Sequence, residues 1–228
     1  MGAVIWLLLL VPFLVGLVVQ RMVRSVFRRY REVANHASVS GADAARALLD
    51  AKGLQRVRVE IIPGFLTDHY DGEARALRLS EAVGNERSVA ALGIAGHEVS
   101  HAYQDAEGNH AYRARHSIGE VLARFAPWST ISLIAGFWFG VPVFVVLSLL
   151  FVGGLVLFAL VTLPVEIGAS QRALTVLRAT GLADAGESRE IRSVLRAAAL
   201  TYVAGLLDRL GWFLVLLFVA EAARRVMT

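Results

Sequence analysis

The feature that most constrains the fold is a long interval without any charged residue, Phe125 to Val165. A single helix of that length would be about 60 Å long, twice the thickness of the hydrocarbon core of a bilayer. Two membrane spans joined by a tight turn fit better, and Gly140-Val141-Pro142 is the predicted turn. Because a hairpin returns the chain to the side that it left, we expect the segments before and after it on the same face of the membrane.

A second apolar run, Ala3 to Val19, is just long enough to span a bilayer. Its basic residues follow it, from Arg21 to Arg31, whereas a cleaved signal peptide carries its charges before the apolar run. The run is therefore predicted to be a transmembrane helix. By the positive-inside rule, the segment that begins at Arg21 is expected in the cytoplasm.

The carboxyl-terminal stretch Ala197 to Ala220 is apolar apart from Asp208 and Arg209. One interpretation is a fourth span that carries this charge pair at depth, where charges usually face a protein interior. The other is a soluble helix that ends near Leu207 and leads into a short membrane segment. The chain is thus divided into a first span (1–20), a cytoplasmic part (21–127), a transmembrane hairpin (128–165), cytoplasmic helices (166–207) and a carboxyl-terminal membrane segment (208–228).

The composition agrees with a membrane protein that has a soluble part. The chain is 56% hydrophobic, yet it contains 23 basic and 19 acidic residues. It has no cysteine, which excludes disulfides and thiolate metal ligands, so any zinc site must use histidine and carboxylate. The net charge of +4 is concentrated beside the first apolar run, and it indicates membrane orientation rather than a nucleic-acid surface.

The polar segment before the hairpin predicts a small sheet. Ser40 to Gly53 is predicted to be a capped helix, and Arg56 to Ile62 alternates as a half-buried strand. Leu66 to Ser80 is predicted to form a hairpin that turns at Gly72. An edge strand of such a sheet can pair with the backbone of an extended peptide.

Directly after this sheet, His97-Glu98-Val99-Ser100-His101 forms an H-E-x-x-H motif on a predicted helix, Ser88 to Gln104. Residues four apart lie on one helix face, so both imidazoles can bind a single Zn²⁺. Glu98 is then the candidate general base for a water that attacks a peptide bond. The alternative is a helix with two buried, hydrogen-bonded histidines.

Several further segments resemble a known family, the neutral zinc metallopeptidases of bacterial membranes, or YugP-like proteins. The segments that carry the resemblance are Leu66–Asp71, Leu77–Ser80, His97–Gln104, Leu163–Glu166 with Ala169–Ser170 and Arg172–Leu174, and Ala197–Ala204. The wider resemblance is to HtpX-like membrane proteases, in which a glutamate on a later helix supplies the third zinc ligand. By that resemblance the third ligand here is Glu166.

The position of Glu166 supports this assignment independently. It is the first carboxylate after the hairpin and is predicted to open a helix at the cytoplasmic face. The alternative is an acidic residue that only stabilises a helix N-terminus.

The chain departs from the family pattern at two positions. Gly168 stands where the family usually has an acidic residue, so a group that could orient a ligand histidine is missing there. Ser100 replaces a usual glycine, a small-for-small change that is expected to be tolerated.

The remaining candidates are weaker. His69 is a candidate for contact with a substrate carbonyl or for a surface role, and Tyr202 for an oxyanion donor or a core residue. The other histidines are predicted to be surface residues: His36, His110 and His116.

The predicted fold class is a mainly α membrane protein with three to four transmembrane helices and a zincin-like α+β catalytic part, made of a small sheet and the H-E-x-x-H helix. The predicted function is a membrane-embedded zinc endopeptidase that acts on peptides or membrane proteins. We expect it to be multi-pass in the bacterial inner membrane with its site facing the cytoplasm. The alternative is a non-catalytic scaffold or pseudoprotease that binds metal weakly or not at all.

Overall fold

A computed structural model describes residues 2–227, and the side chains of all of these except residues 2, 137, 142 and 222–227. Helices account for most of the chain. In chain order the elements are α1 (Gly2–Arg31), α2 (Gly41–Ala51), β1 (Arg58–Ile62), β2 (His69–Asp71), β3 (Ala76–Ser80), α3 (Glu81–Gly84), α4 (Val89–Ala106), α5 (His110–Phe139), α6 (Pro142–Ala179) and α7 (Glu187–Met227).

The chain divides into two compact units. One, here called the site unit, comprises Gln20–Tyr112 and Pro164–Leu200. The other, the helical unit, comprises the chain up to Val19, Arg113–Leu163 and the chain from Thr201 onward. The site unit contains the whole sheet, helices α2, α3 and α4, and the parts of α6 and α7 that lie within Pro164–Leu200.

Among the described residues, three helical stretches are long and apolar enough to cross a membrane: Ala3–Arg31, Val143–Ala179 and Glu187–Glu221. Large apolar side chains such as Trp6, Ile134 and Leu150 are exposed in the helical unit, as expected for helices that face lipid. The predicted class, a mainly α membrane protein with a small sheet, is confirmed.

The predicted turn lies where α5 ends at Phe139 and α6 begins at Pro142. The two arms of the hairpin differ in length. The charge-free part of α5, from Phe125 to Phe139, is about 22 Å long. This arm is shorter than the roughly 30 Å of a bilayer core, whereas the apolar stretch of α6 is long enough.

Two expected helix boundaries are wrong. Glu166 does not open a helix, because α6 continues through Pro164 to Ala179 as one helix. Likewise no helix of the described chain ends near Leu207, because α7 is a single helix, Glu187–Met227.

The sheet has three strands in the order β1–β3–β2. β2 and β3 are antiparallel, with Tyr70 opposite Leu77, and they form the predicted hairpin. β1 pairs with β3 in parallel, with Arg58 opposite Ala76. Both β1 and β2 are therefore edge strands, and the inner strand β3 is buried at four of its five positions.

Helix α4 lies at the centre of the site unit, with fourteen of its eighteen residues buried. Two glycines permit close packing against it. A Cβ at Gly96 would lie 2.9 Å from Leu177 of α6, and a Cβ at Gly93 would lie 3.0 Å from Ile191 of α7. Larger residues at these positions would push α6 and α7 away, so the small residues of α4 fix where the side chains of α6 meet the motif.

Candidate metal centre

The two motif histidines project from the same face of α4. The helix begins after Ser88, whose hydroxyl accepts a hydrogen bond from the backbone N–H of Ala91, as is common for a serine at an N-cap. His97 and His101 follow one turn apart, and their ring centres are 4.8 Å apart. His101 is buried and His97 is partly exposed, so the pair lies at the edge of the core rather than within it.

Glu166 of α6 meets both histidines. Its Oε2 atom lies 3.1 Å from Nε2 of His97 and 3.6 Å from Nε2 of His101. The side chain is only 1% exposed. The structure thus brings together the three residues that the sequence and the family resemblance single out, across a chain separation of 69 positions.

The second ring nitrogen of His101 is held by a residue that sequence reasoning missed, Gln104. The amide nitrogen of Gln104 donates to the carbonyl oxygen of Val165 (3.1 Å), and its amide oxygen lies 2.8 Å from Nδ1 of His101. Because the carbonyl oxygen of Val165 can only accept a hydrogen bond, the amide nitrogen of Gln104 must face it. The amide oxygen of Gln104 therefore faces His101, and as this oxygen can also only accept, Nδ1 of His101 must carry a proton. In the neutral ring, Nε2 of His101 is then the nitrogen that can bind a metal.

His97 has a matching partner. The hydroxyl of Ser170 lies 3.2 Å from its Nδ1, so an acceptor for the Nδ1 proton is available there as well. Ser170 is one turn beyond Glu166 on α6, and Gln104 is three residues beyond His101 on α4. Both residues could have been found from the sequence, because polar residues three or four positions after a ligand lie on the same helix face.

The departures from the family pattern are accommodated. Gly168 leaves no acidic group at its position, and a Cβ built there would lie 3.6 Å from Nε2 of Gln104. The acidic group is indeed absent at Gly168, but both histidines have other partners on Nδ1, namely Gln104 and Ser170. Ser100 is fully buried, and its hydroxyl donates to the carbonyl oxygen of Gly96 (2.8 Å), which satisfies it.

The donor set suits a zinc ion. The three candidate ligand atoms, two imidazole nitrogens and one carboxylate oxygen, lie within 4.8 Å of one another. In a tetrahedral site with bonds of about 2.0–2.1 Å, neighbouring ligand atoms are about 3.3 Å apart. The separations of 3.1 and 3.6 Å from Oε2 of Glu166 lie on either side of that value. Two histidines and a glutamate, with one position left open, are also the ligands of many catalytic zinc sites.

Glu98 is buried beside the two histidines. Burial raises the pKa of its carboxyl group, and His97 and His101 act in the opposite direction. The carboxylates of Glu166 and Asp68 add to the rise. Asp68 is itself fixed near the site by hydrogen bonds from the backbone N–H (2.7 Å) and the hydroxyl (3.0 Å) of Ser80.

A tyrosine that the sequence did not single out lies next to the centre. The ring of Tyr112 is 5.9 Å from that of His101. Near it, the hydroxyl of Tyr70 donates to Asp105 (3.0 Å), which ties β2 to the end of α4. The edge strand of the sheet is thereby anchored to the helix that carries the motif.

The other predicted residues are placed as follows. His69 begins β2 with its side chain exposed, and its Nδ1 lies 2.8 Å from the carbonyl oxygen of Thr67. Tyr202 lies on α7 in the helical unit, and its role as an oxyanion donor stays a prediction. The histidines expected on the surface are all exposed: His36, His110 and His116.

Comparison with known proteins decides the family. Residues 5–221 match the family described as putative neutral zinc metallopeptidases. This chain belongs to that family. A family relative from Bacillus subtilis (strain 168), described as the putative membrane protease YugP, is 40% identical over 188 residues, which cover 82% of this chain and 84% of the relative. No solved structure matches the chain. The family membership inferred from the sequence is confirmed.

The Gln104 contact predicts a measurable effect on metal affinity. Replacing Gln104 by leucine removes the acceptor on Nδ1 of His101, and we expect zinc to bind about 10–100-fold more weakly. Glutamate at the same position keeps an acceptor oxygen and should recover most of the affinity. Competition with a zinc-sensitive dye measures both constants. Gln55→Leu, at an exposed glutamine on the same unit, is the control, and an equal loss in both leucine variants would contradict the role of Gln104.

Proposed function

We propose that this protein is a zinc-dependent endopeptidase of the bacterial membrane. The observation that carries the proposal is the convergence of Nε2 of His97, Nε2 of His101 and Oε2 of Glu166, directly beside the buried carboxyl group of Glu98. Family membership and the putative protease from Bacillus subtilis support the same class of reaction.

In this proposal His97, His101 and Glu166 hold the ion, and Gln104 and Ser170 keep the two rings in place. When bound, zinc supplies a Lewis acid that polarises the scissile carbonyl and lowers the pKa of water. The carboxylate of Glu98 takes a proton from the attacking water and delivers it to the amide nitrogen. The carbonyl carbon gains the water oxygen, the C–N bond breaks, and the amine leaves with that proton.

The substrate backbone is proposed to pair with β2. This strand is an edge of the sheet, and the Tyr70–Asp105 hydrogen bond fixes it to α4. Main-chain pairing gives affinity with little dependence on sequence. His69 on this strand is a candidate for contact with the substrate, and Tyr112 beside His101 is a candidate for stabilising the developing oxyanion.

The scaffold alternative loses its motivation. It depended on the missing acidic group at Gly168, and both histidines have other partners on Nδ1. The two functions still differ in a direct assay. Purified protein in detergent should cleave an unfolded polypeptide such as carboxymethylated casein, lose this activity on treatment with a chelator and regain it with Zn²⁺. A metal-free preparation from zinc-replete cells that cleaves nothing would support the scaffold instead.

The site is proposed to face the cytoplasm of a bacterial cell. Because His97 and Glu166 are in contact, the chain between them must cross the membrane an even number of times. If α6 crosses once, α5 must cross as well. The short apolar part of α5 can be accommodated by local thinning of the bilayer, and Arg124 can extend its charged group toward the lipid headgroups. The arginines after the apolar stretch of α1 favour a site on the inner side of the membrane.

Single cysteines in this cysteine-free chain test the orientation. Gln55 and Ala185 are exposed on the site unit, and Val141 lies in the turn between α5 and α6. In intact spheroplasts an impermeant thiol reagent should label Val141→Cys and leave Gln55→Cys and Ala185→Cys unlabelled until lysis. Labelling of Gln55→Cys or Ala185→Cys from outside would contradict a cytoplasmic site.

A further inference from the structure

A groove of about 680 Å³ lies between the last turns of α6 and the first turns of α7. Both walls belong to the site unit. Ser170, whose hydroxyl contacts His97, lines this groove, and so does Ile167, the neighbour of Glu166. The groove is thus connected to the candidate metal centre through Ser170, and from there it extends along α6.

The groove combines an apolar surface with positive charge. Leu174 and Leu195 contribute to its lining, and three arginines complete it, namely Arg178 on α6 and Arg192 and Arg196 on α7. All three arginines are exposed. Among the described residues that line the groove there is no aspartate or glutamate, and none of the three guanidinium groups has an ion pair with a described residue.

Some other arginines of the same unit are neutralised by acidic side chains. Arg31, Arg46, Arg78 and Arg172 all form ion pairs with glutamate or aspartate. Since unpaired charges of one sign along a cleft raise the local concentration of oppositely charged ligands, the groove is suited to an extended anionic chain with apolar parts.

We propose that this groove binds acidic side chains of the substrate polypeptide beside the scissile bond. Ser170 and Arg178 are eight residues apart on α6, which corresponds to about 12 Å along the helix. An extended peptide covers that distance in three to four residues. Acidic residues up to about four positions from the cleaved bond would therefore meet the arginines. This inference rests on the proposed peptidase function.

The distances favour a peptide over an anionic lipid. Arg178 lies about 20 Å along α6 beyond Val165, where the charge-free stretch ends. On α7, Arg192 and Arg196 lie about 8 Å and about 2 Å before Ala197, where the carboxyl-terminal apolar stretch begins. The headgroup layer of a bilayer adds only about 5–8 Å on each side of the hydrocarbon core. A headgroup at the membrane surface would therefore reach Arg192 and Arg196 but not Arg178, whereas an extended polypeptide in the groove can contact all three arginines.

Peptide binding to the full-length Glu98→Gln protein in detergent tests the groove without turnover. The probes are a fluorescein-labelled twelve-residue peptide with four glutamates and its counterpart with glutamines. In the Glu98→Gln background, Arg192→Gln/Arg196→Gln should weaken binding of the glutamate peptide about tenfold and leave the glutamine peptide unchanged. The matched control is Arg56→Gln/Arg189→Gln, which removes the same charge from exposed positions outside the groove and should change binding less than twofold.

Equal loss in the two double variants would overturn the inference, since it would show attraction by net charge alone. A lipid arm measures binding to phosphatidylcholine vesicles with and without phosphatidylserine. If binding to phosphatidylserine vesicles depends on the arginines while peptide binding is unchanged, the inference is also overturned, and the groove is assigned to an anionic lipid. If the wild-type protein hydrolyses nothing but binding of the glutamate peptide still depends on Arg192 and Arg196, the peptidase proposal fails and the groove stands. If hydrolysis occurs but binding of the glutamate peptide does not depend on these arginines, the groove proposal is wrong and the peptidase proposal stands.

Discussion

Replacing Glu98 by glutamine should lower kcat/KM for peptide hydrolysis by about 10²–10⁴-fold, the range typical of a lost general base. Glutamine has nearly the same shape as glutamate, so the packing around this buried position is kept. Its amide cannot accept the proton of water, while the three candidate ligands remain unchanged. Zinc content should therefore stay at one ion per chain, measured by elemental analysis beside the rate of casein cleavage.

The control for this variant is Glu107→Gln. Glu107 follows the last residue of the same helix and pairs with Lys52 and Arg172 at the surface. The Glu107→Gln substitution removes the same charge just after the end of α4 without contacting the histidines. We expect its activity within about twofold of wild type because exposed ion pairs contribute little. Undiminished hydrolysis in Glu98→Gln, or an equal loss in Glu107→Gln, would rule out Glu98 as the base.

Loss of a ligand should have the second large effect. His101→Ala and Glu166→Ala each remove one of three ligand atoms, and we expect zinc to bind more weakly by more than the 10–100-fold typical of an outer partner. Both proteins should be purified nearly free of zinc and be inactive. His110→Ala, at an exposed histidine outside the cluster, should keep zinc and activity. Full zinc occupancy in Glu166→Ala would exclude Glu166 as a ligand.

The local features of α4 and the sheet could be predicted from the sequence because their causes are local. Ser40 and Ser88 cap their helices through hydrogen bonds within three residues, and the β2–β3 hairpin follows from alternation and a turn at Gly72. The turn between α5 and α6 could also be predicted, because the charge-free stretch is too long for a single helix across a bilayer.

The continuity of α6 could not be predicted in this way. Pro164 precedes Glu166, and a proline usually ends a helix because it lacks an N–H donor. Only one carbonyl oxygen, that of Leu160, loses its partner, and helices that cross membranes tolerate such a loss. A carboxylate two residues after a proline therefore resembled a helix start, while in the structure it lies in the interior of a longer helix.

The ligand geometry needed the tertiary structure for a different reason. In the sequence, Gln104 is one polar residue among others on a helix. Its role follows only from the hydrogen bond between its amide and the carbonyl oxygen of Val165. That contact depends on how closely α6 approaches α4, which Gly96 and Leu177 determine. Packing distances of this kind are set by residues far apart in the chain, and no local pattern of residues reports them.

The wide separation of the ligands in the chain has a consequence for biosynthesis. His97 and His101 leave the ribosome 69 residues or fewer before Glu166 does, with the whole apolar hairpin between them. At about 5–20 residues per second, a nascent chain therefore exists for several seconds with two ligands and without the third. On the proposed function the enzyme is latent during this interval, and it matures only when its hairpin has been inserted, so newly made chains cannot attack one another at the insertion machinery.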